Sequence, residues 1–149
     1  MNENTVKVRF EARPENQRFA RSVVSGYLAL ADPTVEDLTE IKTAVSEAVS
    51  NCIIHAYKDC KEVEKCFIDM KISMKQPDQC MITITDYGKG IENIDKAREP
   101  MFSTEAEKEM SGMGFTVMES FMDKVFVKSK PYEGTEVVLI KNLDICNVH

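Results

Sequence analysis

Apolar and polar residues alternate in five stretches of the chain, with the period of two that is typical of half-buried β-strands. The five stretches are residues 6–10, 66–74, 80–86, 124–129 and 135–141. The second and third flank Pro77-Asp78, and the fourth and fifth flank the segment from Pro131 to Gly134. Since proline and glycine favour turns, the pattern predicts one strand followed by two antiparallel hairpins.

Three other segments repeat their apolar residues every three or four positions, as amphipathic helices do. The predicted helices span residues 15 to about 32, about 35 to 57 and 112 to 122. Thr34 with Asp37 three residues later resembles a capping box, which marks the start of the second helix. Together the elements predict an α/β fold, an α+β two-layer sandwich whose mixed, mainly antiparallel sheet carries helices on one face.

Length, charge and composition narrow the class of protein. A chain of 149 residues, 43% of them apolar, is expected to form a single domain over residues 1–149. Its formal net charge of −6 disfavours a phosphate backbone as the main partner. No apolar run approaches the roughly 18–20 residues that span a bilayer, and the start lacks the basic and apolar regions of a signal peptide. We therefore expect a cytoplasmic protein that binds neither nucleic acid nor membranes directly.

Cysteine usage indicates neither a metal site nor a disulfide framework. The five cysteines are scattered without metal-ligand spacing, and the chain has only two histidines. They are Cys52, Cys60, Cys66, Cys80 and Cys146. We expect reduced thiols that pack as small apolar residues.

Two segments show neither the period of two of a strand nor the three-to-four-residue period of a helix. Residues 87–111 contain Gly88, Gly90 and Pro100 and are too long for a tight connection. Loops of this length in a compact domain are usually functional or mobile. The tail, residues 142–149, is expected to fray.

A polar stripe is predicted along the second helix. Glu47, Asn51 and His55 lie four residues apart. At 100° per residue each is rotated roughly 40° from the last, so the three border the apolar face together. Such a stripe is either a solvated helix flank or one wall of a site beside the sheet.

The third strand ends in a carboxylate. Asp86 has the same parity as Ile82 and Ile84, so a strand that buries the isoleucines also turns Asp86 toward the core. A buried carboxylate is costly unless it is hydrogen-bonded, and the alternative is that Asp86 already belongs to a turn. Gly88 and Gly90 follow, where a backbone can approach a ligand without a Cβ in the way.

Glycines also stand at the start of the third predicted helix, at Gly112 and Gly114. The free N–H groups and the dipole of a helix N-terminus attract phosphate. The segment therefore either binds phosphate or forms a plain hinge. The glycine patterns of P-loop proteins, dinucleotide-binding folds and protein kinases do not occur in the sequence.

The order of these features resembles the ATP-binding domain of the GHKL superfamily, which includes DNA gyrase and the histidine kinases. The shared features are an acidic residue and an asparagine four apart on a helix, Asp-x-Gly-x-Gly after a strand, a long loop, Gly-x-Gly at a helix start and Gly-Thr in the last hairpin. They stand at residues 47–51, 86–90, 111–115 and 134–135, and the match covers essentially the whole chain. Residues 38–51 and 111–119 are also similar to the anti-sigma factor/serine kinases of sporulation.

This resemblance implies ATP and Mg²⁺ as cofactors and gives roles to individual residues. Glu47 is the implied catalytic base, Asn51 the implied Mg²⁺ ligand, and Asp86 the implied acceptor for the adenine amino group. The other implied nucleotide contacts are His55, Gly88, Gly90, Ile91, Lys108, Ser111, Gly112, Met113, Gly114, Phe115 and Thr135. Residues from about 98 to 111 would form a lid over the phosphates. The chain departs from the family pattern at Met110, where an arginine is usual, so the cationic phosphate contact passes to Lys108 or Arg98 or is weaker.

The resemblance further implies a homodimer with two protein partners. It would hold an RNA polymerase sigma factor of the sigma F type inactive and phosphorylate an anti-anti-sigma factor on serine. Arg21 on the first helix is similar to the docking surface of such proteins, or is simply a solvated arginine. Three other functions stay open: an ATP-gated anti-sigma binding module without kinase activity, a related kinase acting on a stress-response sigma factor, and an α/β domain unrelated to nucleotides.

Overall fold

A computed structural model describes residues 4–76, 78–91 and 111–144 as a five-stranded sheet with three helices on one face. The strands are β1 (Thr5–Glu11), β2 (Phe67–Gln76), β3 (Gln79–Asp86), β4 (Lys124–Lys130) and β5 (Gly134–Asn142). The helices are α1 (Asn16–Leu28), α2 (Val35–Asn51) and α3 (Ser111–Phe121). A π-helical turn, Cys52–Ala56, continues α2, and short 3-10 turns lie at Ala29–Ala31 and Val63–Lys65. The predicted elements and the α+β class are confirmed. No helix in these residues is long and apolar enough to cross a bilayer.

The strand order is β1-β2-β3-β5-β4, and every neighbouring pair in this sheet is antiparallel. The prediction of a mixed sheet is therefore wrong for the described residues. Two helices, instead of one, connect β1 to β2, and Glu11 at the end of β1 lies beside Phe67 at the start of β2. The chain thus returns in the opposite direction, whereas a single crossover helix would have produced a parallel pair.

Alternation along the strands decides which side chains meet the helices. On β3, Ile82 and Ile84 are fully buried, and Asp86 keeps their parity at 4% exposure. The alternative that Asp86 already belongs to a turn is therefore wrong. Across the sheet Asp86 pairs with Thr135 on β5, which is also buried. The strand that builds the core thus also delivers a carboxylate to its edge.

The first turn of α2 is tied to the end of the chain. Thr34 Oγ1 accepts a hydrogen bond from the Asp37 amide at 3.1 Å, as predicted. The Asp37 carboxylate does not return to Thr34, so the predicted capping box is only half formed. It accepts instead from the Asp144 amide at 2.6 Å, and Leu143 beside it is buried. The tail prediction is consequently wrong as far as Asp144, and residues 145–149 lie outside the described residues.

Two of the cysteines are not the reduced thiols that we expected. Cys60 and Cys66 form a disulfide, because the 3-10 turn between them brings their Cα atoms to 6.8 Å. The prediction is confirmed for Cys52 and Cys80, which are buried free thiols. Cys146 lies outside the described residues.

A buried ion cluster joins the end of β5 to α2. Lys141 is 9% exposed, and its Nζ donates to Glu40 Oε2 at 2.9 Å and to the Phe121 carbonyl oxygen. Asp37 Oδ1 lies 4.0 Å from the same nitrogen. Since removing one partner leaves the other charges buried and unbalanced, this cluster should matter more to stability than an exposed ion pair.

We expect Lys141→Met to lower the free energy of unfolding by about 3 kcal/mol, because the buried Asp37 and the half-buried Glu40 lose their counter-charge. Urea titration at neutral pH measures the change. Lys124→Met, at an exposed position of β4, is the matched control and should change it by less than about 0.5 kcal/mol. A loss below about 1 kcal/mol for Lys141→Met would contradict the role given to the cluster.

Candidate functional site

A cavity opens beside α2 and α3 at the ends of β3 and β5. The empty space at this cavity, which includes open solvent at its mouth, is about 360 Å³. The lining residues are Ala48, Asn51, Cys52, Ala56, Asp86, Gly90, Ile91, Phe115, Thr135 and Val137. A largely apolar lining with a few polar groups is typical of small-molecule sites. Six predicted contact residues meet here: Asn51, Asp86, Gly90, Ile91, Phe115 and Thr135.

Asp86 is the charged group of this cavity. Its Oδ1 accepts hydrogen bonds from the Gly88 amide at 3.0 Å and the Thr135 amide at 3.2 Å. The Cys52 thiol lies beside the same carboxylate. Burial raises the pKa of Asp86, and the two backbone amides and the thiol oppose that rise without cancelling it. An ionised carboxylate offers about four acceptor positions, so capacity remains for a donor on a ligand.

The two glycines after Asp86 are required by contacts within the protein. A Cβ on Gly88 would overlap the carbonyl group of Ala56. Gly90 has a φ of +75°, and a Cβ there would overlap the carbonyl group of Lys130. Only Gly90 also lines the cavity. The close approach to Ala56 lets the loop pack on the end of the π-helical turn at Gly88, and that both glycines contact a ligand stays a prediction.

The polar edge of α2 faces the first turn of α3. A Cβ on Gly114 would lie 3.3 Å from Asn51 Nδ2 and 3.5 Å from Glu47 Oε2. Asn51 Nδ2 is buried and makes no hydrogen bond within the described part of the chain. Burial raises the pKa of the half-buried Glu47. These two side chains are therefore not a solvated flank, and they retain hydrogen-bonding capacity for a bound group.

The structure buries His55. This residue is 2% exposed and is not among the residues that line the cavity. It lies in the π-helical turn that continues α2. The same turn brings Cys52 and Ala56 to the cavity, two residues that were not among the predicted contacts. That His55 contacts a nucleotide stays a prediction.

Ser129 is a second polar residue that was not predicted. Its Oγ accepts from the Ile91 amide at 2.7 Å, lies 2.7 Å from Thr135 Oγ1 and donates to the Gly134 carbonyl oxygen. It thereby holds Ile91 and Thr135 at the cavity. The sequence did offer a signal for Ser129. It has the same parity on β4 as the inward-facing Val125 and Val127, and it pairs with Thr135 on β5.

The remaining predicted residues are more distant or undescribed. Ser111, Gly112 and Met113 form the first turn of α3. Lys108 and the predicted lid before Ser111 lie outside the described residues. Arg21 is away from the cavity, on α1, where its Nη1 donates to Ser46 Oγ at 3.0 Å. It shares a groove with Arg18, Ser22, Ser25 and Lys42.

Comparison with known sequences gives a family match over most of the chain. The family model described as "Histidine kinase-like ATPase domain" matches residues 10–141. The anti-sigma F factor of Clostridium perfringens (strain SM101 / Type A) is 47% identical over 142 residues, which cover 95% of this chain and 99% of the relative. The anti-sigma F factor of Anoxybacillus flavithermus is also 47% identical, over 148 residues that cover 97% of this chain and 99% of the relative.

Solved structures show the same fold at low sequence identity. The RsbU and RsbW domains of a Mycobacterium tuberculosis protein match 94% of this chain with a TM-score of 0.67 and 18% identity. The histidine kinase domain of an Erythrobacter litoralis blue-light-activated kinase matches 85% with a TM-score of 0.55 and 19% identity. The chain spans 32% of the first solved chain and 60% of the second.

The burial of Asp86 predicts a pH-dependent difference in stability. Its pKa is raised in the folded state, so its contribution to stability is full below the unfolded pKa and is lost as the pH rises through the folded-state pKa. An asparagine does not ionise, so the variant Asp86→Asn does not lose this stability as the pH rises. We expect the free energy of unfolding of the variant, minus that of the wild type, to increase between about pH 4 and pH 7.

Urea titrations across this pH range measure the difference. Asp59→Asn, at an exposed position, is the control and should show a difference that does not increase. A flat or decreasing difference for Asp86→Asn would contradict the cost assigned to the buried charge.

Proposed function

The chain belongs to the histidine kinase-like ATPase domain family and, within it, to the anti-sigma F factors, and we propose that it is an ATP-dependent regulator of a sigma factor of the sigma F type. In this proposal it holds the sigma factor inactive in the cytoplasm and phosphorylates an anti-anti-sigma factor on serine. The observation that carries the proposal is the position of Asn51. Its side chain lines the same cavity as Asp86, and together with Glu47 it lies beside Gly114 in the first turn of α3.

The cavity suits the adenine base. Asp86 accepts hydrogen bonds, and the adenine amino group donates them, whereas guanine presents a carbonyl oxygen at the same position. Leaving a buried polar group unpaired costs about 1–3 kcal/mol, which corresponds to a preference for ATP over GTP of roughly ten- to a hundredfold. The Thr135 hydroxyl, held by Ser129, supports the same edge of the base.

Asn51 fits a place in the coordination shell of Mg²⁺. Its side-chain amide lies at the cavity, and the amide nitrogen is buried without a hydrogen-bond partner among the described residues. A neutral amide oxygen is a suitable hard ligand, and Mg²⁺ commonly takes one or two protein ligands with phosphates and water completing the shell. When bound, the ion would neutralise charge on the phosphates.

Glu47 is placed to act as the general base. It lies one helical turn before Asn51 and shares with it the contact at Gly114. In the proposed reaction Glu47 takes the proton of the partner's serine hydroxyl as the serine oxygen forms its bond to the γ-phosphorus and the bond to ADP breaks. Phosphoryl transfer depends more on position and charge than on base strength, so a carboxylate suffices.

The first turn of α3 supports phosphate binding. The first N–H groups of a helix lack partners within it, and its dipole favours an anion there. Gly112 and Gly114 stand in this turn, and Gly114 adjoins Asn51 and Glu47. We assign these amides to the phosphates, together with Lys108 and the lid predicted before Ser111.

The groove at Arg21 supports a docking role on the opposite side of α2. Arg21 bonds Ser46, the neighbour of Glu47 in sequence, so a partner bound there is close to the catalytic helix. Arg18 and Lys42 make the groove basic although the chain carries a net charge of −6. Complementarity at this point therefore calls for acidic partner groups. A homodimer, expected from the resemblance, remains part of the proposal.

We expect Glu47→Gln to slow phosphate transfer by roughly 10²- to 10⁴-fold, because the amide cannot accept the proton. Transfer of labelled γ-phosphate from Mg-ATP to the anti-anti-sigma factor of the same organism measures the rate. Binding of Mg-ATP should stay within about twofold, since Glu47 does not line the base cavity. Glu36→Gln, exposed in the first turn of the same helix, is the matched control and should retain full transfer.

Two results would overturn parts of this proposal. Full transfer by Glu47→Gln would remove Glu47 from the role of base. Wild-type protein that binds Mg-ATP and its partner without transfer would be an ATP-gated binding module and not a kinase.

We expect Arg21→Ala to weaken binding of the sigma factor by about tenfold, because it removes both a charge and an anchored side chain from the groove. Binding of the sigma factor of the same organism, measured calorimetrically with ATP present, gives the change. Lys128→Ala, at an exposed position on β4, should leave binding within about twofold. Unchanged binding by Arg21→Ala would place the docking surface elsewhere.

A further inference from the structure

Tyr57 joins the end of α2 to the loop that follows β3. Its hydroxyl group donates to the Phe67 carbonyl oxygen at 2.5 Å and accepts from the Tyr87 amide at 2.7 Å. Burial raises the pKa of Tyr57 to about 12, so the hydroxyl keeps its proton and remains a donor near neutral pH. One side chain thus holds the start of β2 and the residue directly after Asp86.

The neighbouring backbone reinforces this link. The Ala56 carbonyl oxygen accepts from the Lys89 amide at 3.0 Å, and Gly88 packs against the same carbonyl group. Residues 87, 88 and 89 are therefore all held by the two residues at the end of the π-helical turn. Since the Gly88 amide in turn donates to Asp86 Oδ1, the position of this carboxylate depends on the same contacts.

A second anchor of the loop lies on the exposed face of the sheet. The Tyr87 hydroxyl donates to Asp69 Oδ2, and Asp69 receives two hydrogen bonds from Arg9. These bonds hold the pKa of Asp69 below its usual range. The pair is largely exposed, however, and exposed ion pairs stabilise a structure only weakly. The half-buried hydroxyl of Tyr57 is consequently the firmer of the two anchors.

We propose that Tyr57 is a positioning residue that sets the preference of the cavity for adenine by fixing the loop that follows Asp86. This inference rests on the proposed function, because it presupposes that Asp86 binds the base. A hydrogen-bond acceptor discriminates between two bases only when it is held within about 0.5 Å of its working position. Without the Tyr57 hydroxyl, the Tyr87 amide and the Phe67 carbonyl lose their common partner, and the loop gains freedom to move the carboxylate.

The test compares Tyr57→Phe with Tyr132→Phe in the full chain. The first substitution removes only the bridging oxygen, and the second removes the hydroxyl of a tyrosine that is exposed near the same loop. Titration calorimetry with Mg-ATP and, separately, with Mg-GTP gives the ratio of the two dissociation constants. We expect Tyr57→Phe to reduce the preference for ATP by at least about fivefold, through weaker ATP binding with GTP binding within about twofold, and Tyr132→Phe to leave it unchanged.

Hydrogen exchange at the Tyr87 amide supplies a second measurement that does not need a nucleotide. We expect faster exchange at this amide in Tyr57→Phe, while exchange in the core of β3 stays as in the wild type. An unchanged ATP/GTP ratio would overturn the inference and leave the proposed function standing. Equal weakening for both nucleotides, together with a lower melting temperature, would also overturn it by reducing Tyr57 to a structural residue. A wild type that binds neither nucleotide would overturn both proposals.

Discussion

The structure depends on how one carboxylate is buried. The alternation that places Ile82 and Ile84 in the core also places Asp86 there, and a carboxylate without partners at that depth would be strongly unfavourable. Its cost is offset by amide donors from the loop after β3 and from β5. The close approach at Gly88 and the register of Thr135 with Asp86 bring these two donors to the carboxylate.

The helical layer meets the same carboxylate from the other side. The π-helical turn ends α2 in a way that brings the Cys52 thiol to Asp86 and the Ala56 carbonyl group to the loop. One turn earlier, Asn51 and Glu47 meet Gly114 at the start of α3. In the proposed function the π-helical turn supports Asp86, which would bind the base, and the turn before it carries Asn51 and Glu47, which would act at the phosphates. The helix that carries them, α2, packs against the sheet through its apolar face.

The parts of the site that follow a regular period could be predicted from the sequence. Parity along a strand indicated the burial of Asp86, and rotation along a helix indicated the shared edge of Glu47 and Asn51. His55 was predicted at the same edge but is not among the residues that line the cavity, and no sequence signal marked the π-helical turn in which it lies. Tyr57 was not predicted, because its hydroxyl bonds the backbone of residues that are distant in sequence. The disulfide and the antiparallel pairing of all the strands in the described residues depend on which segments become neighbours in space, and an apolar pattern does not carry this information.

A crystal structure with Mg²⁺ and a non-hydrolysable ATP analogue would test the central claim most directly. If Asp86 binds the adenine base, the amino group of the base will lie about 3 Å from the Asp86 carboxylate. The phosphates will then extend toward Asn51 and the first turn of α3. A base bound outside the cavity, or bound inside it with the amino group directed away from Asp86, would contradict the role given to this residue and to the loop that holds it.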